Sequence, residues 1–272
     1  MSVAEFDPSG QAGTIADLKT FAAHNCYGVA AITALTLQQP GSKPSVQPIA
    51  PSWLKESILS TMQWQRIRAI KVGMLCDRAS AEAVSEILDA NPSVPVVLDP
   101  FLLGMDGASG NEAAGPDVLR TLLLRRATVV TSSPEEAAAL TDLQVRSPAE
   151  MKAAAAKLVE MGARSAVVTG GRFEKPFDVY FDRERSATLA GERFKVNAPH
   201  ETGSTFSSAI AANLALGRLP HDAVVMAKAF VTEALRKAYT TASGTILLNH
   251  FYRAHQAARV VDSESEIAEP VH

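Results

Sequence analysis

The run His200-Glu201-Thr202-Gly203-Ser204-Thr205 passes directly into an Ala-rich apolar segment that ends at Gly217. Small and hydroxylic residues at a helix start leave backbone N–H groups free at the positive end of the helix dipole, and that is anion-binding chemistry. The same pattern also describes an ordinary capped core helix, and Thr-Gly-Ser-Thr alone does not choose between them. Asp99 stands at the end of an apolar run, just before Pro100. It reads either as a carboxylate at the ligand-binding edge of a sheet or as a plain strand terminus. Glu136 follows Ser133-Pro134 in the opening turn of a helix, where the dipole alone favours an acid. Gln38 lies in a loop after an apolar run, and Met74 lies at the end of another.

Alternating apolar runs must position these groups. Strands are expected at 27–35, 69–75, 94–98, 127–131 and 165–169. Helices are expected at 14–24, 51–60, 80–90, 118–125, after Ser133, at 148–161, after the Thr-Gly-Ser-Thr run, and at 220–238. Residues 177–181 and 192–196 suggest a small antiparallel pair. Residues 1–6 are too short and mixed to count as a strand. Strand–helix alternation implies an α/β fold with a mostly parallel sheet and helices on both faces, in three αβα layers. Ligands then belong at the carboxyl ends of the strands. No linker or repeat divides the chain, so one domain is expected over 1–253, with a polar tail over 254–272.

The 272 residues are 47% hydrophobic and 20% charged, which suits a full core. A net charge of −3 argues against nucleic acid or an anionic membrane as a partner. Cys26 and Cys76 form no metal or disulfide pattern and read as reduced thiols of a cytoplasmic protein. Neither an export signal nor a membrane span is expected. His24, His221 and His255 lack ligand spacing and read as surface residues.

Several ordered segments carry a resemblance. They are Asp7-Pro8-Ser9-Gly10 with Ala12-Gly13, Ala16-Asp17-Leu18-Lys19-Thr20-Phe21, Ile32-Thr33-Ala34-Leu35-Thr36 with Gln38, and Lys71-Val72-Gly73-Met74-Leu75. Val97-Leu98-Asp99-Pro100, Glu136-Ala137-Ala138-Ala139-Leu140, Val168-Thr169-Gly170-Gly171 and Asn249-His250 complete the set. The chain resembles the hydroxymethylpyrimidine/phosphomethylpyrimidine kinases of thiamine biosynthesis, within the ribokinase-like superfamily.

The resemblance implies transfer of the γ-phosphoryl group of ATP, with Mg²⁺, to 4-amino-5-hydroxymethyl-2-methylpyrimidine and then to its monophosphate. By position, Gln38 would bond the aminopyrimidine edge. Ala12, Thr36 and Met74 would wall the ring, with the Gly10 backbone close to the substrate. Asp99 and Glu136 would organise the metal. Gly170 and Gly171 would pass near the nucleotide phosphates, beside Thr169 and Ser133. Thr202, Gly203, Ser204 and Thr205 would form the anion hole, and a homodimer is implied.

The resemblance has departures. Glu201 and Ser204 replace the family's usual Gly and Cys, and a serine hydroxyl is far harder to deprotonate than a cysteine thiol. Ser133 replaces an Asn, Thr169 a frequent Lys, Gln11 a Gly, and Ile246-Leu247-Leu248 the usual Gly-Pro-Val. The family's first strand, before Asp7, is mostly absent from the pattern. An impaired or inactive pyrimidine- or nucleotide-binding protein is therefore the alternative, and a pyridoxal-type kinase a further one.

Overall fold

The computed structural model describes residues 1–37, 45–101, 114–171, 173–194, 201–241 and 246–254. Six parallel strands form the centre of the sheet: β1 (Ser2–Phe6), β2 (Ala30–Leu37), β4 (Ile70–Val72), β5 (Val96–Leu98), β6 (Val129–Ser132) and β7 (Ser165–Thr169). Their spatial order is β2-β1-β4-β5-β6-β7. β3 (Ser45–Pro48) pairs antiparallel with the outer side of β2. β8 (Phe177–Asp182) and β9 (Ser186–Ala190) extend the β7 edge, also antiparallel.

Side-chain alternation along each strand explains the two helical layers. Val97, Val129 and Val167 point to the face covered by α1 (Gly13–Ala23), α7 (Glu201–Ala215) and α8 (Pro220–Arg236). Val96, Leu98, Val130, Ala166 and Val168 point to the other face. There they meet α2 (Pro51–Trp64), α3 (Arg78–Ala90), α4 (Pro116–Leu122), α5 (Pro134–Thr141) and α6 (Pro148–Glu160). Strands buried on both sides read as continuous apolar runs, which is why the sheet is visible in the sequence.

Helix ends follow local chemistry. Asp77 caps α3 through Ser80 N at 2.6 Å, and α7 ends at Ala215 and is closed by Gly217, where φ is +89°. Gly217 N bonds Leu214 O and Arg218 N bonds Asn213 O, a pairing that only a left-handed residue at 217 allows without strain.

Three expectations need correction. Residues 2–6 do form a strand, and a central one, paired with both β2 and β4. Ser2 and Glu5 obscured it, because both are buried polar residues in a strand of five. The partner of β8 is 186–190, not 192–196, since Asp182 accepts N–H bonds from Glu184 and Arg185 and closes a short turn. Finally, α7 already begins at Glu201, so Thr202 to Thr205 lie within its first turns rather than in a loop before it. Among the described residues, no helix is long and apolar enough to cross a membrane.

Candidate active site

The carboxyl ends of the parallel strands gather the polar groups. After β1, the carboxylate of Asp7 folds the Asp7–Gly13 loop around itself. It accepts Ser9 N at 2.9 Å, Ser9 Oγ at 2.7 Å and Ala12 N at 3.1 Å. Asp7 is 1% exposed, so these bonds replace water rather than compete with it. Gly10 has φ +70°, and its carbonyl accepts Lys19 Nζ at 2.6 Å. At Gly13 a Cβ would stand 2.3 Å from the Glu5 carbonyl oxygen, with φ +58°, so this turn requires glycine.

Ala12 is buried beside this turn. Thr36 donates its hydroxyl to Phe6 O at 3.2 Å. Met74 belongs to a small apolar cluster with Ala34 and Cys76, packed by Val46 and Phe101 and separate from the two main cores. Thr33 Oγ1 holds the Met74 carbonyl at 2.7 Å. Apolar side chains with a few polar groups close by are the chemistry that a small heteroaromatic ring needs. Gln38 and the side chain of Glu201 lie outside the described residues.

Asp99 follows β5 and is 8% exposed. Its Oδ2 accepts Ser207 Oγ at 2.8 Å, and the same hydroxyl lies 3.1 Å from Ser204 O. One serine thus joins Asp99 to the amino end of α7. Burial pushes the Asp99 carboxyl up, opposed by the Lys71 ammonium and the Ser207 hydroxyl. In the first turn of α7, the N–H groups of Thr202 and Gly203 have no acceptor within the helix. Ser204 is 4% exposed. Thr205 is fully buried, and its hydroxyl meets His250 Nε2 at 3.0 Å, so it braces the turn from behind. Burial, with the Lys19 charge adding to it, lowers the His250 pKa to about 4, and the ring is neutral at pH 7.

Ser133 and Glu136, after β6, form a reciprocal capping box on α5. Glu136 Oε2 accepts Ser133 N at 2.8 Å and Ser133 Oγ at 2.9 Å. Thr169 Oγ1 donates to Ser132 O at 3.2 Å at the end of β7. The two glycines that follow differ. A Cβ on Gly170 would stand 2.3 Å from Phe177 O, whereas at Gly171, as at Gly203, it would meet nothing within 4 Å. Gly170 serves packing, and open space lies beside Gly171 and Gly203. From β4 to β7 there are three strand spacings, about 14 Å. The apolar cluster around Met74 therefore sits at one end of the row and the Gly170-Gly171 turn at the other, with α7 packed over β4, β5 and β6 between them.

The chain matches the phosphomethylpyrimidine kinase family over residues 7–249. It belongs to that family. The hydroxymethylpyrimidine/phosphomethylpyrimidine kinase of Aquifex aeolicus is 31% identical over 246 residues, covering 90% of this chain and 96% of the relative. Among solved structures, Staphylococcus aureus pyridoxal kinase in complex with AMP-PCP is similar with a TM-score of 0.83, at 29% identity over 93% of each chain. Clostridium difficile phosphomethylpyrimidine kinase gives 0.74 at 26% identity, covering 86% of this chain and 98% of the other. These matches show a kinase of ribokinase-like fold and do not favour the non-catalytic alternative.

Within this kinase, sequence reasoning missed two charged residues, Lys71 and Asp17. Lys71 Nζ lies 3.1 Å from both Asp17 oxygens and 4.0 Å from Asp99 Oδ2. The available signal was a lysine in the middle of an otherwise apolar strand. A separate shallow concavity of about 480 Å³, lined by Leu143, Ala156, Val159 and Phe181 among others, lies at the amino-terminal end of β7. It is remote from every group above and plays no part in the site.

Proposed function

We propose that this chain uses ATP to phosphorylate the hydroxymethyl group of 4-amino-5-hydroxymethyl-2-methylpyrimidine and then the phosphate of the resulting monophosphate, in thiamine biosynthesis. The observation that carries the reading is the Ser207 hydroxyl, which ties Asp99 to the first turn of α7 between the apolar cluster around Met74 and the glycine turn. In the first step, the acceptor oxygen forms a bond to the γ-phosphorus as the bond to ADP breaks, and the hydroxyl proton passes to water, with the side chain at position 204 placed to relay it. Such transfers have loose transition states, so positioning and charge stabilisation outweigh a strong base. That accommodates Ser204 in place of a cysteine.

Each residue has a proposed task. Gln38, Ala12, Thr36, Met74 and the Gly10 backbone hold the ring. Gly170, Gly171, Thr169 and Ser133 border the nucleotide, and Thr202, Gly203 and Ser204 receive the transferring group, with Thr205 behind them. The open space at Gly171 and Gly203 is where phosphate oxygens could approach backbone N–H groups.

ATP supplies the phosphoryl group and Mg²⁺ offsets its charge. Mg²⁺ usually binds through one or two carboxylates plus phosphates and waters. Asp99, at the carboxyl end of β5, would hold such a phosphate-borne ion. Glu136, already bound to Ser133, would act through metal-bound water. The kinase domain is read as residues 1–253. A cytoplasmic homodimer is the assembly proposed, supported by Leu35 and Leu37 exposed on β2 near the sheet edge.

The test is a coupled ADP assay with the pyrimidine alcohol, its monophosphate and pyridoxal, with and without Mg²⁺. Mg²⁺-dependent turnover of the first two is expected. The pyridoxal kinases of similar structure motivate the third substrate, and turnover of pyridoxal alone would replace the pyrimidine assignment. ADP release at background with every acceptor would remove the kinase reading.

A further inference from the structure

Beneath the proposed site lies a cluster of buried charges: Glu5, Asp17, Lys71 and Asp99, each 8% exposed or less. Lys71 rises from β4 between α1 and α7 and meets Asp17 of α1 through both carboxylate oxygens. Burial works against its charge, but Asp17, Asp99 and Glu5 outweigh that and keep Lys71 an ammonium. Two consecutive serines of α7 reach into this cluster. Ser207 Oγ bonds Asp99, and Ser208 Oγ bonds Asp17. The helix is therefore pinned at two points to two carboxylates that share one lysine. A third hydroxyl, Ser2 Oγ, comes from β1 and not from α7, and bonds the other oxygen of Asp17.

Replacing a buried ion pair by apolar groups of similar size is often neutral or stabilising. Stability alone is thus a weak reason for placing Lys71 and Asp17 here. We propose that the buried Lys71–Asp17 pair is a positioning device for phosphoryl transfer, fixing Asp99 and the amino end of α7 in one mutual geometry. This rests on the kinase reading. Lys71, Asp17 and Ser208 act through Asp99 and the α7 backbone, and none of them is assigned contact with the substrate. Ser208 transmits position, whereas Ser2 only satisfies the carboxylate.

The test compares Ser208→Ala with Ser2→Ala in the full chain, measuring kcat, both KM values and thermal unfolding. Each variant removes one hydroxyl from the same carboxylate, so similar losses of Tm are expected. Outer partners that orient a metal-binding residue, as Asp99 is proposed to be, typically contribute about 10- to 100-fold. Ser208→Ala should lower kcat by about tenfold, with KM for pyrimidine and ATP within about twofold, while Ser2→Ala keeps the wild-type kcat. A second comparison sets Lys71→Met against the Asp17→Asn/Lys71→Met double variant. The double variant should regain most of the lost Tm but stay about tenfold low in kcat.

An active wild type with Ser208→Ala at full kcat overturns the inference alone. So does an equal kcat loss in both serine variants, which would mark a merely structural role. A double variant that recovers both Tm and kcat overturns it as well. A double variant that fails to fold leaves the serine comparison decisive. A wild type without acceptor-dependent turnover would overturn the kinase reading, and this inference with it.

Discussion

Replacing Gly203 by alanine should make the protein more stable and the enzyme worse. Gly203 lies exposed in the first turn of α7, without a positive φ, and an added Cβ would meet nothing within 4 Å. Glycine within a helix is about 0.8–1 kcal/mol less favourable than alanine. Near a helix end the gain shrinks to about 0.5 kcal/mol, which for a chain of this size raises Tm by about 1–2 °C. If the open space is where a phosphoryl oxygen approaches the backbone N–H groups, the new methyl group occupies that path. Losing one such donor costs about 10²–10³ in kcat, or about 2.7–4 kcal/mol. Differential scanning calorimetry and the coupled ADP assay read the two effects separately. A variant with raised Tm and wild-type kcat would refute the proposal that phosphate approaches α7 at this residue. A variant with lowered Tm would refute the claim that the space is open.

Gly13→Ala should behave oppositely, because φ is +58° and the Cβ would stand 2.3 Å from Glu5 O. A loss of at least about 2 kcal/mol is expected in urea unfolding, and a smaller loss would show that the turn can relax. Ser204→Cys should raise kcat at pH 8 by about tenfold if proton removal limits the rate. No gain, with an intact fold, would mean that proton transfer through position 204 does not limit the rate. His250 titrates near 4 in the folded protein against an ordinary histidine value of 6.5, so the unfolded chain binds more protons between those values. Its neutral-ring stabilisation is complete above about pH 6.5 and is lost as pH falls towards 4, up to about 3 kcal/mol. The pH dependence of ΔG should flatten in that window in His250→Gln, and an unchanged slope would assign it to other groups.

What the sequence made legible was local or periodic. Apolar runs marked the interior strands because both their faces are covered, and Gly217 marked the end of α7 because one backbone conformation favours it. Ser133 and Glu136 declared a helix start three residues apart, although spacing alone could not say that the two side chains bond each other. What stayed hidden depends on contacts across long stretches of chain. β1 looked too polar to be a central strand because the partner of Ser2 is Asp17, which only the folding of α1 against β1 brings near. The site followed the same division. Asp99 and the start of α7 were visible as a strand end and a helix start, whereas the hydroxyl that joins them lies 108 residues beyond Asp99. Ser207 and Ser208 read in isolation as unremarkable small residues of a packed helix, and the sequence offered no periodicity that would separate them from their alanine neighbours. A lysine inside an apolar strand was the one local sign of the buried charges. Burying an unpaired ammonium costs several kcal/mol, so Lys71 already required a carboxylate partner somewhere in the chain. Only the packing of α1 and α7 over β4 identifies that partner as Asp17 and brings Asp99 to its other side.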